Sequence, residues 1–434
     1  MNKIDTNILA PLKNLLATET RRRLFENFLS LSFLQVANYI FPLITLPYLV
    51  RVLGPEKFGL ISFAQAFIGY FVILTDYGFN LSATREIAIY REDKEKVSEI
   101  FSSVMVIKFF LFFLSLGIMS AIIFTFEKFR QDWEIYYLTF GMVLGQVLFP
   151  VWFFQGMERM KYITFLNILA KLIFTIAIFA FVRKVEDYLY VPLLNSLGFI
   201  VAGVLGLWIV FKDFGIGFRM PSWEGIKHQL KEGWYIFIST VAISLYTISN
   251  TFILGLFTNN TIVGYYSAAE KIIKAIQGLL GPISQTIYPH VSKLMYESKE
   301  CGIKFLRKVT LLIGSFSFVL SLIIFIFADL IVRIVLGSQY TESVIVLRIL
   351  AFLPFIIGLS NIFAVQGLIA YGKLEIIPKI TLAGAISNIF IALLLVNLLQ
   401  AVGVAISVLI AEAVVTFISF YYFKRVIIDR RVIS

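Results

Sequence analysis

Apolar segments, each long enough to cross a lipid bilayer, follow one another along almost the whole sequence. A helix rises about 1.5 Å per residue, so about 20 apolar residues span the roughly 30 Å of hydrocarbon. The composition agrees, with 59% hydrophobic and only 15% charged residues. We therefore predict an all-α polytopic membrane protein with about twelve transmembrane helices. The twelve segments lie near residues 24–50, 57–82, 101–124, 135–155, 162–182, 189–211, 234–257, 262–288, 309–336, 344–370, 375–396 and 399–423.

The basic residues between these segments are unevenly distributed. Of the 38 Lys and Arg residues, 25 lie in the two termini and in the connections after even-numbered segments, whereas seven lie on the other side. By the positive-inside rule both termini are cytoplasmic, as an even number of spans requires. The basic residues are scattered, which argues against nucleic-acid binding. Residues 1–20 lack an apolar signal core, so we expect no cleavable signal peptide.

Short matches between the two halves indicate an internal repeat. A polar connection, residues 212–233, contains Pro221 and Ser222 and is predicted to form a surface helix between the halves. Spacing is shared on either side of it, with Gly59, Ser62 and Ala64 in the first half and Gly264, Ser267 and Ala269 in the second. We therefore predict that segments 1–6 and 7–12 are parallel repeats, both starting from the cytoplasm, as in transporters built from repeated bundles.

No enzyme motif stands out. The chain has two His residues and one Cys, and no Gly-rich loop followed by Lys-Ser or Lys-Thr for nucleotide phosphates. We predict a transporter and not an enzyme, with no metal site and no cofactor; coupling to protons or sodium stays open.

Three lysines lie near the bilayer midplane, where a charge costs at least about 2.5–3.5 kcal/mol. They are Lys171 in the fifth segment, and Lys271 and Lys274 on one face of the eighth. Glu270 is one turn from Lys274, so a structural Lys–Glu pair that locks two helices is one interpretation. The other is a cationic cavity wall that binds an anion.

Other charges in the segments have simpler interpretations. Lys108, Arg348 and Lys379 lie within about two turns of a segment end, and snorkelling to the interface explains them best. Glu412, deep in the last segment, is either a lysine partner or a protonatable coupling group.

A polar run, residues 76–86, closes the second segment. Gly78 could open a kink or allow close helix contact. Asp76 and Arg85 are nine residues apart on roughly one helical face. They would line the mouth of a cavity or, equally well, form an interfacial cap and ion pair.

Five stretches together point to a known family: residues 37–54, 58–64, 76–86, 250–255 and 263–271. The most specific part is residues 37–86, and the looser matches fall on the seventh and eighth segments. These stretches resemble bacterial O-antigen and capsular polysaccharide flippases.

The resemblance implies a member of the multidrug, oligosaccharidyl-lipid and polysaccharide exporter superfamily in the bacterial inner membrane. Its fold would be two six-helix lobes, residues 1–218 and 219–434, around a central cavity. Its task would be to move undecaprenyl-pyrophosphate-linked sugar repeat units to the periplasmic leaflet by alternating access. Besides this substrate and membrane lipids, the implied partners are a polysaccharide polymerase and a chain-length regulator. The implied site residues are a cationic cavity of Lys171, Lys271 and Lys274, flanked by Arg51 and Arg85, and the coupling candidates Asp76, Glu270 and Glu412.

Two alternatives stay open. An exporter of drugs or of a lipid-linked peptidoglycan precursor would share the superfamily, although a cationic midplane disfavours organic cations. A polytopic glycosyltransferase or polymerase would also handle lipid-linked sugars, but it needs a sizeable extramembrane loop with catalytic carboxylates or His. The predicted periplasmic connections are short.

Overall fold

The computed structural model describes residues 19–278 and 280–425, and throughout these ranges the regular structure is helical. The first half contains α1 (Glu19–Asp76), α2 (Phe79–Ile89), α3 (Lys94–Thr125), α4 (Glu127–Arg130), α5 (Trp133–Leu148), α6 (Val151–Gly156), α7 (Met160–Phe181), a 3-10 turn (Val185–Leu189) and α8 (Tyr190–Asp213). The second half contains α9 (Trp223–Thr247), α10 (Ser249–Phe257), α11 (Asn260–Gly278), α12 (Leu280–Glu297), α13 (Lys299–Ile326), α14 (Ala328–Val335), α15 (Ser343–Leu350), α16 (Leu353–Asn361), a π-helix (Ile362–Ile369) and α17 (Ile377–Phe423), with 3-10 turns at Ser338–Tyr340 and Leu374–Ile376.

Two of these helices are long because each joins two predicted segments across a kink. In α1 the kink is at Gly54, where φ is 69°, and the next residue is a proline that cannot donate a backbone hydrogen bond. In α17 the kink is at Gln400, where φ is 49°. Among the described residues, eight helical stretches are long and apolar enough to cross a membrane, and these two account for two predicted segments each. Predicted segments seven and eight fall on the more polar α9–α12.

By internal contacts the chain forms two units. The first contains the described residues up to Phe41 together with Phe71–Ile178 and Pro192–Phe237. The second contains Pro42–Tyr70, Phe179–Val191 and the described residues from Ile238 onward. This division reflects contacts between helices and does not test the predicted lobes. The lobes, residues 1–218 and 219–434, stay a prediction.

The core of the first unit is rich in aromatic rings. Trp152, Phe153 and Phe154 on α6 are fully buried, and the ring of Trp152 lies 5.6 Å from that of Phe101 on α3. Gly156 allows α2 to approach closely, because a Cβ atom there would lie 2.6 Å from the Ile87 side chain. The end of α1 packs against this core through Leu74.

The helix break between α1 and α2 corrects one inference from the sequence. Tyr77 has φ 47° and Gly78 has φ 80°, so the chain leaves α1 directly after Asp76 and restarts at Phe79. A Cβ atom on Gly78 would lie 2.7 Å from Ile236 of α9, which packs against the break. Asp76 and Arg85 therefore do not share the face of one helix, because that face requires an uninterrupted helix.

Within the second unit, the two glycines of the repeated spacing meet. A Cβ atom on Gly59 would lie 1.8 Å from the backbone oxygen of Asn260, and one on Gly264 would lie 2.0 Å from that of Pro55. The contact is reciprocal, since each glycine faces the residue four positions before the other. Close approach of two backbones at small residues is a common form of helix packing in membranes.

Candidate functional site

Lys108 on α3 is the main site residue that sequence reasoning misplaced. Its residue surface is only 3% exposed, so the snorkelling interpretation is wrong for this residue. Its Nζ atom lies 4.0 Å from Oδ1 of Asp76 and donates a 3.4 Å hydrogen bond to the backbone oxygen of Gln146. A signal was present in the sequence. Asp76 precedes the end of its segment by about as many residues as Lys108 follows the start of the next, which places them at similar depth.

A polar cavity of about 170 Å³ adjoins this pair in the first unit. We call it the Asp76 cavity, and its polar lining consists of Thr75, Asp76, Asn80, Lys108, Gln146 and Asn167. The Asn80 amide donates a 2.7 Å hydrogen bond to Oδ1 of Asp76, across the break between α1 and α2. The cavity therefore combines a carboxylate, an ammonium group and three carboxamides.

Lys171, on α7 in the same unit, has a neutral partner. Its Nζ atom donates a hydrogen bond to the side-chain oxygen of Asn38 on α1. An amide oxygen stabilises an ammonium group but does not cancel its charge. The ammonium group of Lys171 can therefore still bind an anion.

Lys271 and Lys274 on α11 differ in their surroundings. Lys274 forms an ion pair of 3.0 Å with Glu270, and its side chain is 55% exposed. The pair lies within one helix, so it does not lock two helices together. Lys271 instead places its ammonium group 4.7 Å from the ring centroid of Phe58, in a cation–π contact. Lys271 thus contacts a neutral ring, while the carboxylate of Glu270, which pairs with Lys274, also interacts with its charge.

The remaining predicted site residues are Arg51, Arg85 and Glu412. Arg51 donates a hydrogen bond to the backbone oxygen of Ile334. Arg85 is on the surface, with its side chain 74% exposed and 3.6 Å from Glu232. Glu412 is half-buried in the second part of α17. The structure thus joins Asp76 to Lys108 and Glu270 to Lys274, while the roles of Arg51, Arg85 and Glu412 stay predictions.

Two neighbouring charged residues on α2 allow a first test of which contacts hold helix α9 against α2. Glu86 accepts hydrogen bonds from His228 at 2.6 Å and from Gln229, whereas Arg85 makes only the exposed pair described above. Because a charged hydrogen bond contributes about 1.5–3 kcal/mol, we expect Glu86→Ala to speed tryptic cleavage at Arg219 by about tenfold or more. An exposed pair contributes about 0–1 kcal/mol, so Arg85→Ala should change the rate by less than about fivefold. Equal cleavage rates in the two variants would contradict this assignment.

In the described part of the chain, the candidate site consists of charged and carboxamide side chains and not of a cluster of metal ligands. Within residues 19–278 and 280–425, no three His, Cys, Asp or Glu side chains come together as a metal site. Long apolar helices, paired across kinks and carrying buried charges, define a multi-pass membrane protein of the transporter class.

Comparison with known proteins then gives the family. The chain belongs to the family described as "Polysaccharide biosynthesis protein", whose model matches residues 24–295. The predicted family resemblance is thereby confirmed. A relative named "Putative O-antigen transporter" from Escherichia coli is 34% identical over 90% of this chain and 94% of its own length. One of the same name from Shigella dysenteriae is 31% identical over 90% of this chain and 97% of its own.

Solved transporter structures share the fold. "Lipid II flippase MurJ, inward closed conformation" superimposes with a TM-score of 0.68 at 13% identity, covering 92% of this chain and 87% of the other. An inward-facing multidrug resistance MATE family transporter of the MOP superfamily gives 0.67 at 16% identity, covering 89% and 94%. The predictions of an all-α polytopic fold and of a transporter, not an enzyme, are confirmed.

Proposed function

We propose that this protein is a flippase for lipid-linked oligosaccharides, moving undecaprenyl-pyrophosphate-linked repeat units from the cytoplasmic to the periplasmic leaflet by alternating access. The observation that carries the proposal is the similarity, over nine-tenths of the chain, to a relative named as an O-antigen transporter. An O-antigen is a polysaccharide, so its transport requires a carrier for large, lipid-anchored sugars.

The buried lysines fit the chemistry of such a substrate. A pyrophosphate carries its negative charge into a region of low dielectric constant, where an ammonium group is a strong point-charge partner. Lys171 suits this role best, because its described partner, Asn38, is neutral. Lys271 is the second candidate: its ammonium group lies against the neutral ring of Phe58, and it also interacts electrostatically with Glu270. The charge of Lys274 is already matched by Glu270.

The reciprocal contact of Gly59 and Gly264 supports alternating access. It joins two segments with the same spacing of small residues, one from each sequence half, and it needs no side chain to be rearranged when the helices separate. Helices that meet through glycine backbones can close tightly and part again at low cost. We propose that they close one face of the transporter.

The membrane and the partners complete the proposal. We place the protein in the bacterial inner membrane with both termini in the cytoplasm, on the distribution of basic residues. Four of those residues, Lys3, Lys13, Arg430 and Arg431, lie outside the described residues. A polysaccharide polymerase and a chain-length regulator are the proposed partners at the periplasmic face.

Complementation tests the function. The gene is disrupted in its host and restored as wild type, Lys171→Ala, Lys271→Ala, Lys274→Ala or Lys293→Ala, and surface polysaccharide is scored beside the amount of protein in the membrane. Loss of a charged hydrogen bond costs about 1.5–3 kcal/mol, so we expect Lys171→Ala and Lys271→Ala to lower polymer by about tenfold or more.

Lys293→Ala is the matched control, because Lys293 forms an exposed ion pair of 3.6 Å with Glu297; it should retain full polymer. Lys274→Ala should have an intermediate effect. Normal polymer in the disrupted strain would refute the flippase function. Rescue of that strain's cell-wall defects without any effect on surface polysaccharide would instead indicate the peptidoglycan precursor as substrate.

A further inference from the structure

The Asp76–Lys108 pair is the strongest feature that the substrate site does not use. The side chain of Lys108 is 4% exposed, and that of Asp76 is 24% exposed. Their separation of 4.0 Å makes this a loose ion pair, not a tight hydrogen bond. A buried charge in a membrane protein is costly, and a functional role is its default interpretation.

The position of Asp76 links its charge to the backbone. Asp76 is the last residue of α1, where the partial negative charge of the helix end disfavours a carboxylate. Lys108 therefore has to offset both the burial and the helix end. The Asn80 hydrogen bond ties the same carboxylate to the first turn of α2. A change in the charge of Asp76 thus acts directly on the junction at Tyr77 and Gly78.

The Asp76 cavity has room for water beside the pair. At about 170 Å³ it has room for several molecules, since one water takes about 30 Å³ in the liquid. The carboxamides of Asn80, Gln146 and Asn167 can hydrogen-bond to such waters. Among the residues that line the cavity, which lie on α1, α2, α3, α5, α6, α7 and α8 and at Phe149, Asp76 and Lys108 are the titratable ones.

The charges favour a proton over a metal cation. A sodium ion bound to Asp76 would lie close to the Lys108 ammonium group, and the two positive charges would repel each other in a site of low dielectric constant. A proton needs no coordination shell. It binds the carboxylate itself, is taken up from cavity water, and leaves Lys108 without its counter-charge.

We propose that Asp76 and Lys108 form a proton-binding pair, in which proton uptake by Asp76 releases Lys108 and loosens the junction between α1 and α2, so that a proton gradient drives transport. The proposal rests on the proposed function. It selects Asp76 from the three coupling candidates and adds Lys108, which the sequence placed at the interface.

The test uses full-length protein in liposomes and the lipid-linked sugar fraction extracted from the host as probe. Movement across the bilayer is followed without a gradient, with a gradient of about two pH units, and with a sodium gradient. Two pH units correspond to about a hundredfold in an equilibrium, so we expect the proton gradient to accelerate wild-type movement about tenfold or more. The sodium gradient should have no effect. Asp76→Asn should lose the acceleration. Because it leaves Lys108 buried without its counter-charge, its movement without a gradient is compared with that of the double variant described below.

Two further variants separate coupling from folding. Lys108→Met alone should be poorly folded, because it leaves a buried carboxylate without its partner. Asp76→Asn/Lys108→Met removes both charges and should recover folding and gradient-independent movement, but not the acceleration. Regained acceleration in this double variant would reduce the pair to a structural role. The control is Lys96→Met/Glu99→Gln, which neutralises a surface pair of 2.8 Å and should retain the acceleration.

The outcomes are distinguishable. Acceleration by sodium alone, or unchanged proton-driven movement in Asp76→Asn, would overturn the proton-binding pair and leave the flippase function standing. No movement of the probe by wild type under any gradient, in vesicles that contain folded protein, would refute the flippase function itself.

Discussion

Gly59→Ala is expected to abolish transport and to lower the apparent melting temperature by about 5 °C or more. The added Cβ atom would lie 1.8 Å from the Asn260 backbone oxygen and 2.6 Å from the Gly264 nitrogen. Both are backbone atoms, which cannot rotate away, so the two helices must separate. Gly264→Ala should behave in the same way, because its Cβ atom would lie 2.0 Å from the Pro55 oxygen. Thermal unfolding of the purified protein and the complementation assay would measure the two effects.

The matched control is Gly117→Ala. Gly117 is also helical, on α3, but a Cβ atom there meets nothing within 4 Å. This variant should be as stable as wild type or slightly more stable, since Ala favours a helix by about 1 kcal/mol over Gly. Because Gly59 and Gly264 share one contact, the double variant should cost less than the sum of the single ones. Wild-type stability in Gly59→Ala would show that the helices do not rely on this close approach.

Gly78→Ala is expected to have the second largest effect, because two costs add at one residue. At φ 80° an alanine is strained, by about 1–2 kcal/mol. Its Cβ atom would also lie 2.7 Å from the Ile236 side chain and 3.1 Å from the Phe237 nitrogen. Overpacking of this kind adds about 1–3 kcal/mol. We expect a lower melting temperature together with reduced transport, because the junction beside Asp76 is displaced.

Gly372→Ala separates the two costs. Gly372 has a similar φ of 83°, but its surroundings are open. It should therefore show the strain of about 1–2 kcal/mol alone. If Gly372→Ala destabilised the protein as much as Gly78→Ala, packing against α9 would contribute nothing to the junction. If Gly78→Ala kept the melting temperature of wild type, the glycine would not be required for the helix break.

The two experiments probe different parts of the proposed cycle. The Gly59–Gly264 contact concerns the closing of helices, whereas the Gly78 junction concerns the carboxylate that we propose binds the proton. A variant that loses all movement of the lipid-linked sugar and one that loses only its acceleration by protons would place these features at separate steps.

Some site contacts were predictable because they are local. The pair of Glu270 and Lys274 follows from a spacing of four residues on a helix, and the structure contains it at 3.0 Å. The kink at Gly54 likewise lies where a glycine and a proline adjoin. By contrast, Lys108 was misplaced because its distance from a segment end says nothing about which helix covers it.

The sequence by itself determined the helical, multi-pass class and the positions of most of the membrane segments. Hydrophobicity over about 20 residues is a local property, and the bilayer leaves the backbone few alternatives. Only the tertiary structure decided that Lys108 meets Asp76, that Lys171 meets Asn38, and that the two repeated glycines touch each other. These contacts join residues that are distant in the chain, and their geometry depends on how whole helices pack, which no single segment encodes.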